Sequence, residues 1–360
     1  MPFLRRFAAA SVAAAFALAV GACGSDDTDT SSSDDAAAPP SSAPATSSAA
    51  ADEPSYPITI EHALGTTVIE SRPERVATVQ WANHEVPLAL GVVPVGMAAA
   101  NFGDPDGDGV LPWVSDKLEA LGAETPVLFD ENDGIDFEAV ADTRPDVILA
   151  AYSGLTEEDY ATLSEIAPTV AYPTAPWATA WRDMIRLNSA AMGMAAEGEQ
   201  LIAEIEAEIE AEVAKYPELA GKQTMFAGHI DPTDLSEIGF YTAHDTRVQF
   251  FEDLGLKIAD VVVEASAGTE RFSASVSTEQ IQVFDDVDLI VGYGDEEGTL
   301  LATLQADPLA SKIPALQRGS VVFFEGSTPL ATAANPTPLA ISYVLADYVR
   351  MLADAAGRVV

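Results

Sequence analysis

The sequence predicts an α/β protein with two sheet-bearing lobes joined by a helix. Three observations support this prediction: short apolar runs recur along residues 56–360, helical stretches separate them, and an acidic segment with one apolar stripe lies mid-chain. Short runs that are apolar throughout are typical of strands buried on both faces of a parallel sheet. Their alternation with helices is typical of the α/β class.

The predicted strands are short and mostly apolar. They are Arg75–Val79, Val93–Met97, Val147–Ala150, Thr169–Ala171, Thr224–Ala227, Leu289–Val291 and Val321–Phe324. Residues 197–215 predict a helix with Ile202, Ile205 and Ile209 on one face and glutamates on the others. Pro217 ends this helix. Periodicity alone predicts an ordinary surface helix, whereas its position between two strand-bearing halves also fits a strut between lobes.

The N-terminus has the organisation of a lipoprotein signal. Arg5 and Arg6 precede an apolar run, Phe7 to Val20, that is too short to span a bilayer as a stable helix. Small residues then lead to Cys23, the only cysteine, in a pattern that resembles the bacterial lipobox. The resemblance implies lipid on Cys23 and a cell-membrane anchor on the extracytoplasmic face. A plain secretory signal with an incidental cysteine is the alternative.

Composition divides the chain into five segments. Residues 24–52 contain only Gly, Ser, Thr, Asp, Ala and Pro, and such a stretch cannot bury a core. We therefore expect a signal peptide at 1–22 and a disordered, lipid-anchored tether at 23–55. An N-terminal lobe at 56–175, a linking helical segment at 176–217 and a C-terminal lobe at 218–360 follow.

Charge and motif content exclude several classes of protein. The net charge of −40 repels phosphate backbones, so no nucleic-acid partner is expected. One cysteine excludes a disulfide framework and a Cys-rich metal site. No G-x-S-x-G, H-E-x-x-H or P-loop motif occurs, so we predict no enzyme activity. A secreted hydrolase that uses paired Asp and Glu side chains stays an alternative.

Several segments, in order, resemble the substrate-binding lipoproteins of ABC importers for iron–siderophores, haem and cobalamin. They are Pro73–Val79 followed by Glu85, Leu88–Met97, Phe137–Val140, Arg144–Leu149, Thr246-Arg247 running to Leu254-Gly255, Ser277–Ile281, Val287–Ile290, and Asp307–Leu309 with Pro314–Leu316 and Arg318–Val321. The resemblance implies two Rossmann-like lobes joined by a single long helix, with a ligand cleft between them. It also implies a monomer without a cofactor that delivers a ferric siderophore to an ABC permease dimer with its ATPase subunits. Haem or cobalamin is the alternative ligand.

The resemblance also assigns docking residues. Family members carry one exposed glutamate on each lobe, which pairs with permease arginines, and the matching positions are Glu138 and Glu279. Two carboxylates on a rigid frame can accept bidentate arginine contacts and fix the orientation of a complex. Solvated glutamates without a partner are the alternative.

The expected cleft has fixed positive charge and flat apolar walls, because iron-loaded catecholate and hydroxamate chelates are bulky and the catecholates are anionic with aromatic rims. Arg247 matches a siderophore-contacting arginine of relatives, and Arg271 precedes the segment that contains Glu279. An unpaired arginine would attract an anionic ligand, whereas a surface ion pair with a nearby acid is the alternative for each arginine. The expected aromatic walls are Trp81, Trp113, Tyr152, Trp177, Tyr241 and Tyr293, with core packing as the alternative for each. We expect Trp181 to pack inside the protein.

No metal site is predicted. Residues 104–109 resemble the start of an EF-hand loop, but the twelfth position is Ser115 instead of a bidentate glutamate. A Gly-rich loop is therefore expected. His84 and His229 fall where either could line the cleft, and any iron is expected to arrive fully chelated.

Overall fold

An antiparallel hairpin precedes the first sheet. In the computed structural model, which describes residues 54–295 and 298–359, β1 (Ile58–His62) pairs with β2 (Gly65–Ile69). Ile60 and Ile69 on one face of the hairpin are buried. The Thr67 hydroxyl also donates to the Thr169 carbonyl at 2.6 Å, which ties the hairpin to the first lobe.

Five parallel strands form the sheet of the N-terminal lobe. They are β3 (Val76–Thr78), β4 (Gly96–Ala98), β5 (Val127–Phe129), β6 (Val147–Leu149) and β7 (Thr169–Val170), in the spatial order β5-β4-β3-β6-β7. The strands β3, β4 and β6 are buried throughout, as expected of short apolar runs inside a parallel sheet. The helices between them are α1 (Glu85–Ala89), α2 (Pro112–Leu121), α3 (Phe137–Asp142) and α4 (Glu157–Ile166).

Two helices lead from the first sheet to the second. They are α5 (Trp181–Ala191) and α6 (Ala195–Val213), and α6 confirms the helix predicted over 197–215. Ile202, Ile205 and Ile209 of α6 are buried, and the two helices pack on each other. Trp181 is buried as expected, and its indole N–H donates to Asp253 at 2.9 Å.

The C-terminal lobe contains a six-stranded mixed sheet. Its strands are β8 (Gln223–His229), β9 (Glu237–Tyr241), β10 (Lys257–Ile258), β11 (Ser273–Ser277), β12 (Leu289–Tyr293) and β13 (Val321–Phe324). The order is β11-β9-β8-β12-β13, and β10 also pairs with β8. β10, β8, β12 and β13 run parallel, whereas β9 and β11 form an antiparallel extension.

Six helices complete this half of the chain. They are α7 (Thr246–Asp253), α8 (Asp260–Ser266), α9 (Leu300–Ala306), α10 (Pro314–Arg318), α11 (Pro329–Ala333) and α12 (Pro338–Ala356). Short 3-10 segments lie at Pro217–Leu219, Thr278–Phe284 and Ala310–Lys312. No helix among the described residues has the length and apolar character needed to cross a membrane.

The helix α12 joins the two lobes a second time. It packs on β12 and β13 of the C-terminal lobe, on α6, and on α1 and α2 of the N-terminal lobe. The buried Glu85 of α1 accepts the indole N–H of Trp113 at 2.7 Å and the backbone N–H of Leu339 at 2.8 Å. One continuous apolar core contains side chains from both lobes. A shared apolar core of this kind opposes large relative motion of the lobes.

Candidate functional site

The candidate site lies at the carboxyl ends of parallel strands, where open α/β sheets place ligands. Trp81 follows β3 and Tyr152 follows β6. Two adjoining cavities of about 300 Å³ each share Trp81 and Trp177 on their walls. We name the cavity that contains Arg247 the C-lobe compartment and the cavity that contains Glu131 the N-lobe compartment.

Arg247 is neutralised by a neighbour on its own helix. Asp245 is the N-cap of α7 and accepts Nε of Arg247 at 2.8 Å and Nη2 at 2.7 Å. The Arg247 side chain is only 16% exposed, and the Asp245 side chain is only 2% exposed. Burial opposes the charge of Arg247, but the hydrogen bonds and charge of Asp245 prevail and raise the Arg247 pKa well above its ordinary value. The structure therefore places Arg247 in the cleft as one member of an ion pair and not as an unpaired cation.

Aromatic rings fix the arginine on two sides. The Arg247 guanidinium lies 3.9 Å from the ring centroid of Tyr241, and its Nη1 donates to the Tyr293 hydroxyl at 3.1 Å. The His229 ring stacks on Tyr293 with centroids 4.7 Å apart. Burial raises the pKa of Tyr241 to about 12, and burial together with the Arg247 charge lowers the pKa of His229. The C-lobe compartment thus offers aromatic faces and hydrogen bonds with its own charges balanced.

A hydrogen-bonded chain crosses the floor of the cleft. Asn335 donates to the Tyr152 hydroxyl at 3.1 Å, and Thr246 of α7 donates to the Asn335 side-chain oxygen at 2.7 Å. Tyr152 also packs edge-to-face with Trp177, with ring centroids 5.5 Å apart. A Cβ at Gly154 would overlap the Trp177 indole, so glycine there allows the tryptophan to form the wall.

Asn83 positions the loop after β3. This fully buried side chain donates to the carbonyls of Val79 and Tyr152 at 2.8 Å each, and it accepts the Tyr152 backbone N–H at 3.0 Å. The side-chain amide of Asn188, on α5, donates to the side-chain oxygen of Asn83 at 3.1 Å. One side chain therefore joins the ends of β3 and β6 to the linking helices.

The N-lobe compartment carries a partly buried carboxyl group. Glu131 accepts the Gln80 backbone N–H at 2.9 Å and the Gln80 side-chain amide at 3.1 Å. Gln80 has φ of 62°, a left-handed conformation that is costly outside glycine. Burial raises the pKa of Glu131 to about 7 and lowers that of His84, in the same compartment, to about 4. No Lys or Arg is among the described residues that line this compartment.

Five of the predicted binding residues line the C-lobe compartment together. They are Trp81, Tyr152, Trp177, Arg247 and Tyr293. Tyr241 lies against Arg247 without lining either compartment.

The structure places the remaining two predicted binding residues elsewhere. Trp113 is buried in the core against Glu85, because Pro112 begins α2 and turns the tryptophan onto the inner face of a helix. Arg271 is exposed and contributes its backbone carbonyl to the Thr242 hydroxyl at 2.6 Å, without lining either compartment. Its neighbour Phe272 lines the C-lobe compartment and is 46% exposed.

Sequence reasoning missed several lining residues. They are Phe102, Asp245, Phe272, Thr332 and Asn335 in the C-lobe compartment and Gln80, Asn101 and Glu131 in the N-lobe compartment. A signal for Asp245 was present, since an Asp followed by Thr-Arg at a helix start predicts an N-cap. His229, one of the two histidines expected near the cleft, lines the C-lobe compartment.

The structure describes the two predicted docking residues but not the predicted anchor residue. Glu138 is exposed in the first turn of α3, and Glu279 is exposed in the 3-10 segment after β11. The two carboxylates therefore belong to different lobes. Cys23 lies outside the described residues, as do residues 1–53 as a whole.

Hydrogen bonds within the loop at 104–109 occupy the Asp104 carboxylate. The ligand-capable oxygens of Asp104, Asp106 and Asp108 lie within 4.8 Å of one another. Asp104 accepts the backbone N–H groups of Gly107 at 2.9 Å and Gly109 at 2.7 Å, so its carboxylate already stabilises the turn. The geometry agrees with the predicted Gly-rich loop.

Relatives share this architecture. The crystal structure of PiaA from Streptococcus pneumoniae TIGR4 in complex with ferrichrome is 43% identical, covers 84% of this chain and 100% of that chain, and superposes with a TM-score of 0.80. A probable siderophore-binding lipoprotein, YfiY of Bacillus subtilis, is 31% identical over 41% of this chain and 42% of its own length. The ferric-anguibactin-binding protein FatB of Vibrio anguillarum is 26% identical over 79% of this chain and 85% of its own length.

The match to one family extends over most of the described chain. The family described as periplasmic binding protein matches residues 76–327, from the first strand of the parallel sheet to the loop after β13. That range includes the residues of both lobes that form the cleft, apart from Thr332 and Asn335. Family match, two-lobed fold and cleft agree, and the chain belongs to the periplasmic binding protein family.

Proposed function

We propose that this protein is an extracytoplasmic lipoprotein that captures a ferric siderophore, of the neutral hydroxamate class, and passes it to an ABC permease. The observation that carries the proposal is the aromatic cleft around the internally balanced Asp245–Arg247 pair. The similarity to PiaA, whose structure holds ferrichrome, supports the same ligand class. Iron enters as part of the cargo, without a resident cofactor and without chemical turnover.

Charge balance in the cleft favours a neutral chelate over an anionic one. Arg247 is the only Lys or Arg among the described lining residues, and Asp245 already balances its charge. A ferric tris-catecholate is a multiply charged anion, and its burial without a free cation is costly. A ferric tris-hydroxamate is neutral, so aromatic walls and the Tyr293 and Arg247 hydrogen-bonding groups suffice to hold it.

Delivery requires an anchor and a docking surface. We propose lipid on Cys23 as the anchor and Glu138 and Glu279 as the carboxylates that meet permease arginines, with the ATPase subunits driving uptake. Support comes from their exposure on separate lobes and from the shared core, which holds the two carboxylates on one frame. The protein acts as a monomer in this scheme.

A fluorescence titration tests the ligand class. Residues 51–360 form one compact unit, so this part can be used alone. We expect saturable tryptophan quenching by ferrichrome at sub-micromolar concentration, because Trp81 and Trp177 line the cleft. Arg247→Ala should weaken that binding by roughly tenfold or more. Quenching only by ferric enterobactin, haem or cobalamin would assign a different ligand, and no quenching by any of the four would contradict siderophore binding.

A further inference from the structure

The N-lobe compartment is chemically unlike its neighbour. The C-lobe compartment holds a balanced ion pair, whereas the N-lobe compartment holds the single carboxyl group of Glu131 with no Lys or Arg among its described lining residues. The two cavities share two tryptophan walls, so a chelate larger than the C-lobe compartment has the compartment of Glu131 next to it. Whatever part of the ligand enters there meets a hydrogen-bond acceptor that carries a negative charge when it is ionised.

We propose that Glu131 is a specificity-determining residue of the cleft, which favours ferric hydroxamates that present a cationic or hydrogen-bond-donating group to the N-lobe compartment and disfavours anionic chelates. This inference rests on the proposed siderophore-binding function and names the residue that sorts ligands by charge. A partly buried carboxylate in a cavity gains from a charge-assisted hydrogen bond with a donor and is penalised by a second anion.

The hydrogen bonds of Glu131 leave acceptor capacity for a ligand. Gln80 is its only partner in the described chain and donates from its backbone N–H and its side-chain amide. A carboxylate accepts about four hydrogen bonds, so further acceptor sites remain. The same contacts hold the left-handed Gln80 in place next to Trp81, and Glu131 is thereby positioned by a constrained turn.

The rival explanation is that Glu131 only supports the Gln80 turn. Glu131→Gln separates the two roles, because the amide keeps one oxygen to accept the Gln80 backbone N–H but loses the negative charge. A structural role predicts equal effects on all ligands. A charge-sorting role predicts effects whose sign depends on the charge of the ligand.

Three chelates of different charge make the test. Ferrioxamine B carries one free ammonium group, ferrichrome is neutral and ferric enterobactin is a triple anion. We expect three effects of Glu131→Gln at about pH 8, where Glu131 is ionised. The affinity for ferrioxamine B should fall roughly tenfold, the affinity for ferrichrome should stay within about twofold, and the affinity for ferric enterobactin should rise. Glu119→Gln makes the same change on the exposed face of α2 and should leave all three affinities unchanged.

The pH dependence gives a second readout. Burial raises the Glu131 pKa to about 7, so the ratio of the wild-type affinity for ferrioxamine B to that for ferrichrome should rise between about pH 6 and about pH 8. The other groups facing this region are His84, with a pKa of about 4, His229, with a lowered pKa, the Asp245–Arg247 pair, and Asp104 behind Gly109. Glu131→Gln should abolish the pH-dependent change if Glu131 causes it.

The outcomes distinguish this inference from the proposed function. If wild-type protein binds none of the three chelates, siderophore capture itself is wrong. If wild-type protein binds one or more of them but Glu131→Gln changes all affinities alike, or none of them, the charge-sorting role is refuted. A thermal melt of each variant shows whether the fold is retained, and Glu131→Asp, which keeps the charge, should keep the wild-type order of affinities.

Discussion

Replacing Asp245 with Asn should expose the electrostatic balance of the cleft. The substitution keeps an N-cap for α7 but removes the negative charge that balances the buried Arg247. Breaking a buried ion pair costs about 3–5 kcal/mol. Arg247 still contacts the Tyr241 ring and the Tyr293 hydroxyl in this variant. We therefore expect a loss of unfolding free energy at the lower end of that range, about 3 kcal/mol, measured by urea denaturation.

A double-mutant cycle isolates the pair. Arg247→Met should lower the unfolding free energy less than Asp245→Asn does. In that variant, Asp245 still accepts a hydrogen bond from the backbone N–H of residue 247 at the start of the helix. The double variant should recover much of the loss, with a coupling free energy of about 2 kcal/mol. Asp245→Asn should also strengthen ferric enterobactin binding, since it frees a positive charge in the cleft. Additive losses in the cycle, with no gain for the anionic chelate, would refute the reasoning.

Three further changes test other parts of the molecule. Gly154→Ala pushes a methyl group against Trp177, so ferrichrome affinity should fall roughly tenfold while the melting temperature changes little; unchanged affinity would exclude Trp177 as a wall. Reversing both Glu138 and Glu279 to Arg should abolish iron uptake by cells and leave ferrichrome Kd within about twofold; lost binding would place these residues in the cleft. Glu85→Gln presents an amide to N–H donors and should cost about 1–3 kcal/mol of unfolding free energy; an unchanged value would contradict its role between the lobes.

Burial pattern decided which strands the sequence could predict. The strands β3, β6, β8 and β12 are apolar runs inside a sheet, β13 is an apolar run at a sheet edge, and the sequence predicts each within a few residues. The strand β5 lies at a sheet edge with Val127 exposed, and β11 is a Ser-rich edge strand with several exposed residues. β11 alternates serine with apolar residues and so lacks the continuous apolar run by which a strand is recognised, and the apolar run of β5 is only three residues long.

The cleft was predictable in its aromatic walls but not in its charges. Trp81 and Tyr152 follow apolar strands, so their place at the carboxyl edge of the sheet could be inferred from the chain. Glu131 lies in the loop after β5, a strand that the sequence did not predict, and accepts a hydrogen bond from Gln80. No periodicity in the sequence indicates this contact. Whether Arg247 is free or paired depends on a side-chain rotamer, and sequence alone does not fix that.

The helix α12 and the shared core have a consequence for competition at the membrane. Because the shared core opposes large relative motion of the lobes, we expect nearly the same outer surface in the empty and the loaded protein. If it docks through Glu138 and Glu279 as proposed, those carboxylates keep nearly the same separation in both states. Empty protein would then occupy permeases that loaded protein needs. The ratio of binding protein to permease, as well as affinity for the chelate, would set the rate of uptake when iron is scarce.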